Sequence, residues 1–252
     1  MDEMTRNRMF MKCPDLSEEG PKTDQELKLP QPPLEKAAAG EIIELPAFED
    51  AVKHAAYTDL LDIRRSERAY TGVPATQAQL AFLLWTTQGV QAIRGSNRYA
   101  GLRPVPSGGA RHPFEVYVAA LNVEGLEQGF YHYLPLERVG EKRAAAEFLP
   151  ALKITDGMVT EMLAGQGWAE KAAFILFFSC LPYRGEWRYR EMAHRVMLID
   201  LGHAGQNAML SAAALGLGSC CLAAYDAAKC DAALGLDGVN EYTVYAVTVG
   251  GV

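Results

Sequence analysis

Ala173-Phe174-Ile175-Leu176-Phe177-Phe178 is short and continuously apolar, the pattern of a central strand buried on both faces. The stretch that follows, from about Glu191 to Leu215, is rich in Ala and Leu and reads as one long helix. Gly216 and Gly218 lie where that helix should stop. Gly202, Gly205 and many alanines in its interior leave room for a second backbone, as in a buried helix or a seam between two copies. Working outward, Phe114 to Val118 alternates like a strand with one face toward a core, and Gly129 to Tyr133 follows as a hairpin-like partner closed by Pro135. Tyr242 to Val249 is a last strand. Thr58-Asp59 ahead of Leu60, Leu61 and Ile63 predicts a short capped helix. Thr76-Gln77-Ala78-Gln79 has capping-box form, and Leu80, Leu83, Leu84 and Val90 then mark a helix of about four turns. The class is α+β, helices around a mainly antiparallel central sheet.

With 252 residues and 49% hydrophobic content the chain can bury one sizeable core. Residues 1–50 differ from the rest: they are polar and carry Leu29-Pro30-Gln31-Pro32-Pro33-Leu34, so they read as an extended proline-containing arm ahead of one domain over 51–252. The net charge of -7 argues against nucleic acid as partner, since phosphate backbones call for a basic face. No apolar run approaches the roughly 20 residues that cross a bilayer, and the start has no apolar block of signal-peptide length, so the expectation is a cytoplasmic protein without membrane attachment. Cys13, Cys180, Cys220, Cys221 and Cys230 form no CxxC pair and read as free, packed thiols.

Three segments could carry chemistry. Arg64-Arg65-Ser66-Glu67-Arg68 sets three guanidinium groups beside a hydroxyl, suited either to a phosphate or to a solvated helix end with Asp62 and Glu67 as counterions. In Pro106-Ser107-Gly108-Gly109, directly before the Phe114 strand, two glycines let backbone N–H groups approach a flat or anionic ligand, unless this is a plain loop. Gly216-Leu217-Gly218-Ser219 could do the same at a helix exit, or be simply a C-cap. No GxGxxG, P-loop, HExxH or GxSxG occurs, so a Rossmann nicotinamide site, a metal centre and a serine hydrolase have no support. His112, His194 and His203 are dispersed and read as packed residues.

The order of these segments resembles the nitroreductase family, and within it the SagB-type dehydrogenase branch. Arg64 to Arg68, Pro106 to Gly109, Arg188-Tyr189-Arg190, Asp200-Leu201-Gly202-His203-Ala204-Gly205-Gln206-Asn207 and Ala214 to Gly218 come in register, and the similarity covers about residues 58–250. The resemblance implies an FMN at the interface of an intertwined homodimer, with both subunits lining each flavin site. It implies that Arg64, Ser66 and Arg68 hold the phosphate and ribityl chain, with Arg65 alongside. Pro106, Ser107 and Gly108 would then lie along the isoalloxazine, Leu217 and Gly218 would offer N–H groups near N5, and Gln206 would sit nearby. The flavin would carry the chemistry, with no catalytic side chain and no metal.

Two departures stand out. Azoline-oxidising members of the SagB-type branch carry a Lys-Tyr pair after the central strand, where this chain has Pro182-Tyr183. Others place basic residues near the C-terminus for the phosphate, where this chain reads Val249-Gly250-Gly251-Val252, leaving Arg64, Arg65, Arg68 or another arginine such as Arg195. The leading expectation is therefore an FMN-dependent, nitroreductase-like oxidoreductase. It would pass hydride from NAD(P)H by a ping-pong cycle to a small electrophile such as a nitroaromatic or quinone. The alternatives are a SagB-type thiazoline or oxazoline peptide dehydrogenase, and a non-catalytic flavin- or peptide-binding module. The segment between Pro150 and Trp168 is expected to cover the pocket.

Overall fold

The computed structural model describes residues 2–12 and 20–252, so the expectation for Cys13 lies outside the described residues. Among the described residues, nine strands are β1 Ile42–Leu45, β2 Ala92–Arg94, β3 Ala100–Leu102, β4 Phe114–Ala120, β5 Gly129–Tyr133, β6 Ala144–Phe148, β7 Phe174–Cys180, β8 Gly218–Leu222 and β9 Tyr242–Gly250. The same residues form seven α-helices, α1 Glu3–Phe10, α2 Tyr57–Ile63, α3 Gln77–Gln88, α4 Met158–Met162, α5 Tyr183–Tyr189, α6 Met192–Ala214 and α7 Ala227–Leu234.

Seven strands form one antiparallel sheet in the order β1-β6-β5-β4-β7-β9-β8, with β2 and β3 as a separate ribbon. The apolar run at 174–178 is an interior strand, β7, paired with the middle strand β4 (Val116 opposite Phe178) on one side and β9 (Leu176 opposite Val247) on the other. Because side chains alternate along a strand, β4 and β7 supply two cores. Phe114, Val116, Val118, Leu176 and Phe178 pack under Leu80, Leu83 and Leu84 of α3 and Met197, Leu201, Ala204 and Ala208 of α6. Tyr117, Ala119, Ile175 and Phe177 face Val159 and Met162 of α4 and Cys230 and Leu234 of α7.

This second layer is why β4 is buried on both faces, where alternation predicted one. It also changes the role expected of the segment from Pro150 to Trp168: Val159, Met162 and Leu163 are core residues, and Trp168 packs on Tyr70 with Arg68 over its ring. The capping box at α3 is present, with Thr76 Oγ1 accepting the Gln79 N–H and Gln79 Oε1 accepting the Thr76 N–H. Thr58, expected as a cap, lies inside α2, whose N-terminus starts from Ala56 with no side-chain cap.

Within residues 1–50 two parts are not an extended free arm. Glu3 to Phe10 is helical, because Asp2 accepts the Thr5 N–H and acidic and basic residues sit at the favourable ends. Ile42 to Leu45 is the edge strand of the sheet, with Leu45 and Phe48 in the core. Between them the chain crosses a buried polar cluster that alternation alone does not predict. Glu115 Oε1 accepts the Lys36 N–H at 2.9 Å and bonds Arg184 Nη2 at 2.5 Å, while its Oε2 bonds His132 Nε2 at 2.9 Å. Burial by itself would raise the Glu115 carboxyl, but Arg184 and His132 outweigh it and hold the group at about 2. An ionised carboxylate only accepts, so His132 carries its proton on Nε2. Alongside, Glu241 Oε1 accepts from Tyr117 and Ser179 hydroxyls, and its Oε2 bonds Lys36 Nζ at 2.7 Å.

Candidate flavin site

The helix α6 organises every candidate segment, and it separates them into two groups. At its C-terminal end the N–H of Leu217 turns back to Ala212 O at 2.9 Å, Gly216 takes φ +69°, and the chain passes into β8. Beside β8 runs the Arg64–Arg68 segment, bridged through Ser66 and Ser219, with Glu67 N–H donating to Ser219 O at 2.9 Å. Arg64, Arg65, Leu217 and Gly218 thereby line one cleft of about 170 Å³ with Met209 and Ala213 of α6. Gly218 is required there by space: a Cβ would lie 2.8 Å from Glu67 Cβ and 2.3 Å from Val252 Cγ1. Ser66 and Arg68 do not line this cleft, and the Arg68 guanidinium lies instead 5.8 Å from the Trp168 ring centre. The N–H of Leu217, expected toward a ligand, is spent on the helix cap.

Pro106, Ser107 and Gly108 lie near the other end of α6. Asp200, which is buried, accepts the Gly108 N–H with both carboxylate oxygens at 3.0 and 3.2 Å, and Ser107 Oγ also bonds it. Burial raises the Asp200 carboxyl against those hydrogen bonds. Ser107 Oγ further accepts the His112 N–H at 2.9 Å, so this hydroxyl serves the loop. Gly108 must be glycine, since a Cβ would meet Val196 Cγ1 at 2.4 Å. Residues 196–200 and 209–213 touch the two groups, and about 14 Å of helix lies between these zones. Within one chain the Pro106–Gly108 and Leu217–Gly218 groups thus lie toward opposite ends of α6.

The outer face of α6 runs between the groups and is exposed at Leu198, Ile199, Gly202, His203 and Gln206. The two helix glycines differ. A Cβ on Gly205 would meet Tyr245 Cε1 at 2.7 Å, so Gly205 serves packing within the chain, whereas nothing lies within 4 Å of one on Gly202. The sequence reading missed Asp200, Arg111 and Arg184 as organisers of this end. Arg188 and Asp200 stood inside quoted motifs, but only contacts across the fold give them work.

The cleft fits one end of an FMN. It holds two guanidinium groups, Arg64 and Arg65, that make no salt bridge among the described residues. Its volume falls below the roughly 300 Å³ at which small-molecule pockets begin, so a second wall is needed. Among the described residues, the thiols are free and suited to packing: burial pushes Cys180 and Cys230 up to about 12. No helix among the described residues is long and apolar enough to cross a membrane.

A family model described as "Nitroreductase family" matches residues 61–251. Of the curated relatives, the protein MJ1384 of Methanocaldococcus jannaschii, named as a nitroreductase, is 31% identical over 73% of this chain and 84% of its own length. The trifolitoxin-processing protein TfxB of Rhizobium leguminosarum bv. trifolii is 36% identical and the microcin B17-processing protein McbC of Escherichia coli 34%. Each match takes in 46% of this chain, but only 30% of TfxB and 42% of McbC. Among solved structures, a nitroreductase-named protein of Ralstonia eutropha superposes with a TM-score of 0.63 at 23% identity, over 88% of this chain and 98% of that one. The E. coli microcin synthetase McbBCD complex, solved with truncated pro-MccB17 bound, superposes with a TM-score of 0.57 at 25% identity, over 80% of this chain and 74% of that one.

Proposed function

Since this chain belongs to the nitroreductase family of oxidoreductases, we propose that it is an FMN-dependent enzyme that takes hydride from NAD(P)H and passes it to an electrophile such as a nitroaromatic or quinone. When bound, FMN supplies the two-electron chemistry. The residues of this chain bind and orient it. Arg64 and Arg65 hold the phosphate, with Ser66 and Arg68 as further candidates along the same segment. Gly218 permits close approach at the β8 entrance, and Pro106–Gly108 form the wall on the ring, stiffened by Asp200 beneath them.

The observation that carries this reading is the separation of the two candidate walls along α6. It is met by a homodimer in which one subunit contributes Arg64, Arg65, Leu217 and Gly218 and the other contributes Pro106, Ser107 and Gly108. The exposed Leu198, Ile199 and Gly202 supply an apolar, close-approach surface for that contact, with Gln206 at its edge. Closing the second copy over the cleft would exclude water from the ring.

The test is an absorbance spectrum after adding FMN and desalting, followed by anaerobic NADPH and NADH, with the mass in solution measured alongside. A yellow dimer that bleaches with either nucleotide is the expected result. A colourless protein would sink the reading and favour a binding module without turnover. A monomer that keeps its flavin would sink the shared site.

One observation favours a second reading, an azoline dehydrogenase acting on a peptide: the identity to TfxB and McbC, both named as processing proteins. Against it, Pro182 stands where that branch carries lysine, and the Tyr183 hydroxyl donates to Asp24 Oδ2 at 2.8 Å. Flavin that resists both nucleotides but oxidises a thiazoline-bearing peptide would decide for this reading.

A further inference from the structure

Arg111 and Arg188 meet around Gly109 and Tyr99, beside the Pro106–Gly108 wall. Arg111 Nε donates to Gly109 O at 2.9 Å and Nη2 donates to Tyr99 O at 2.6 Å. Its guanidinium is stacked between two rings, 4.6 Å from the centre of Tyr99 and 5.3 Å from that of Trp187. Arg188 Nη1 donates to the hydroxyl of the same Tyr99 and its guanidinium lies 5.4 Å from the Tyr189 ring centre. Gly109 has φ +58°, and a Cβ there would stand 2.7 Å from both Cδ and Nε of Arg188. The two side chains are thus held in fixed positions by the loop.

What they lack is a negative partner. Neither arginine makes a salt bridge among the described residues, and every acceptor they use is neutral. Arg184, by contrast, is matched to Glu115. Two guanidinium groups held close together repel, and stacking on rings offsets only part of that. The surroundings are cationic more widely: burial, Arg103, Arg111 and Arg184 all disfavour a charge on His112, whose pKa is pushed down to about 2. Backbone strain gathers here too. Among the described non-glycine residues with positive φ, Asn97 and Arg98 precede Tyr99, Ala110 and His112 flank Arg111, and Arg190 ends α5 just beyond Arg188, as strain gathers at ligand-holding sites. Arg188, Ser107, Gly108 and Gly109 are only half-buried, so Arg188 can be reached, while Arg111 is buried behind it.

We propose that Arg188, backed by the positive charge of the buried Arg111, binds an oxyanion, phosphate or carboxylate, of the small molecule that exchanges electrons at this site, separate from the FMN phosphate at Arg64 and Arg65. The planar fork of Arg188 suits two-point contact, and Arg111 is locked behind it as a second positive charge. The proposal rests on the flavin reading for what reacts there, but the anion site itself does not.

Inorganic pyrophosphate titrated calorimetrically into the FMN-treated protein tests the site without turnover. Arg188→Gln should weaken it about 10- to 100-fold, the range for losing a charged hydrogen-bond partner, and Arg188→Lys should recover part of the loss. Two kinetic arms then identify the source. If the donor carries the oxyanion, Arg188→Gln raises the concentration of NADPH needed for anaerobic flavin bleaching and leaves dihydronicotinamide riboside, which has no phosphate, unchanged. If the acceptor carries it, the variant raises KM for 4-nitrobenzoate but not for 4-nitrobenzamide. Either outcome supports the proposal. Unchanged pyrophosphate affinity would overturn it, as would weaker FMN retention with unchanged riboflavin binding, which would assign the pair to the cofactor's own phosphate. Pyrophosphate binding lost in Arg188→Gln with no flavin retained by either protein would uphold the anion site while sinking the flavin reading.

Discussion

At its C-terminal end α6 stops on Gly216 in a left-handed turn, hands the chain to β8, and meets Arg64–Arg68 through one bridge and one backbone hydrogen bond. At its N-terminal end it is held by side chains from far along the sequence. Asp200 holds Gly108, α5 delivers Arg184 to Glu115, and residues 23–36 close over Tyr99, Trp187 and Glu115. The first end rests on backbone geometry and glycine space. The second rests on buried charge that must be matched, and on strain that the matching maintains. The two ends should therefore fail differently when disturbed.

The largest effect is expected where charge is removed. Arg184→Met leaves Glu115 buried with only His132 and the Lys36 N–H, and breaking such a pair by deleting one partner costs about 3–5 kcal/mol. The midpoint of urea unfolding should fall accordingly, while Glu115→Gln combined with Arg184→Met should recover part of the loss. Equal losses in the single and double variants would show that the ion pair is not what holds this end.

Gly218→Val attacks the other end through space alone. Its added atoms meet Glu67 Cβ and Val252, and overpacking of this kind costs about 1–3 kcal/mol. Flavin retention should drop more steeply than stability, because the same atoms fill the mouth of the cleft. Flavin retention unchanged in a folded variant would remove Gly218 from the site.

A finer comparison lies within α6 itself. Gly205→Ala should destabilise by about 1 kcal/mol or more as Tyr245 is displaced. Gly202→Ala, with open space around it, should leave the thermal stability of an isolated chain unchanged or slightly raised. Its effect should appear instead as a shift toward monomer in sedimentation. A Gly202→Ala protein that dimerises as tightly as the parent would remove this face from the interface.

How much of this was legible in the sequence follows the same division. The central strand, the long helix, the hairpin and the capping box were readable because each is set by residues a few positions apart. Arg64, Arg65, Leu217 and Gly218 come together in one cleft, while Ser66 and Arg68 stand outside it. The N-terminal end was not legible. Glu115 sits in an alternating strand and reads as a solvent-facing residue until Arg184, His132 and Lys36 are brought to it from three other segments. The polar, proline-bearing composition of residues 1–50 likewise hid Leu34, Leu45 and Phe48, whose burial depends on a sheet edge and a groove supplied elsewhere.

A last effect appears only as a dependence on pH and separates the two ends without touching either ligand wall. Glu35 accepts the Leu136 N–H at 2.6 Å, and its carboxyl is raised from 4.5 to about 7, by burial first and by the nearby Glu115, against the pull of that hydrogen bond, His132 and Arg103. A raised carboxyl favours the protonated form in the folded chain. Its contribution to stability is therefore complete below about pH 4.5 and is lost as pH rises through 7. Glu35→Gln stays neutral throughout, so the variant should match the parent near pH 4.5 and exceed it in stability at pH 8. Amide exchange should locate the difference in residues 31–37 and 134–137, with residues 218–222 of β8 unaffected. Parallel pH profiles for parent and variant would mean that Glu35 does not couple its protonation to the stability of this end.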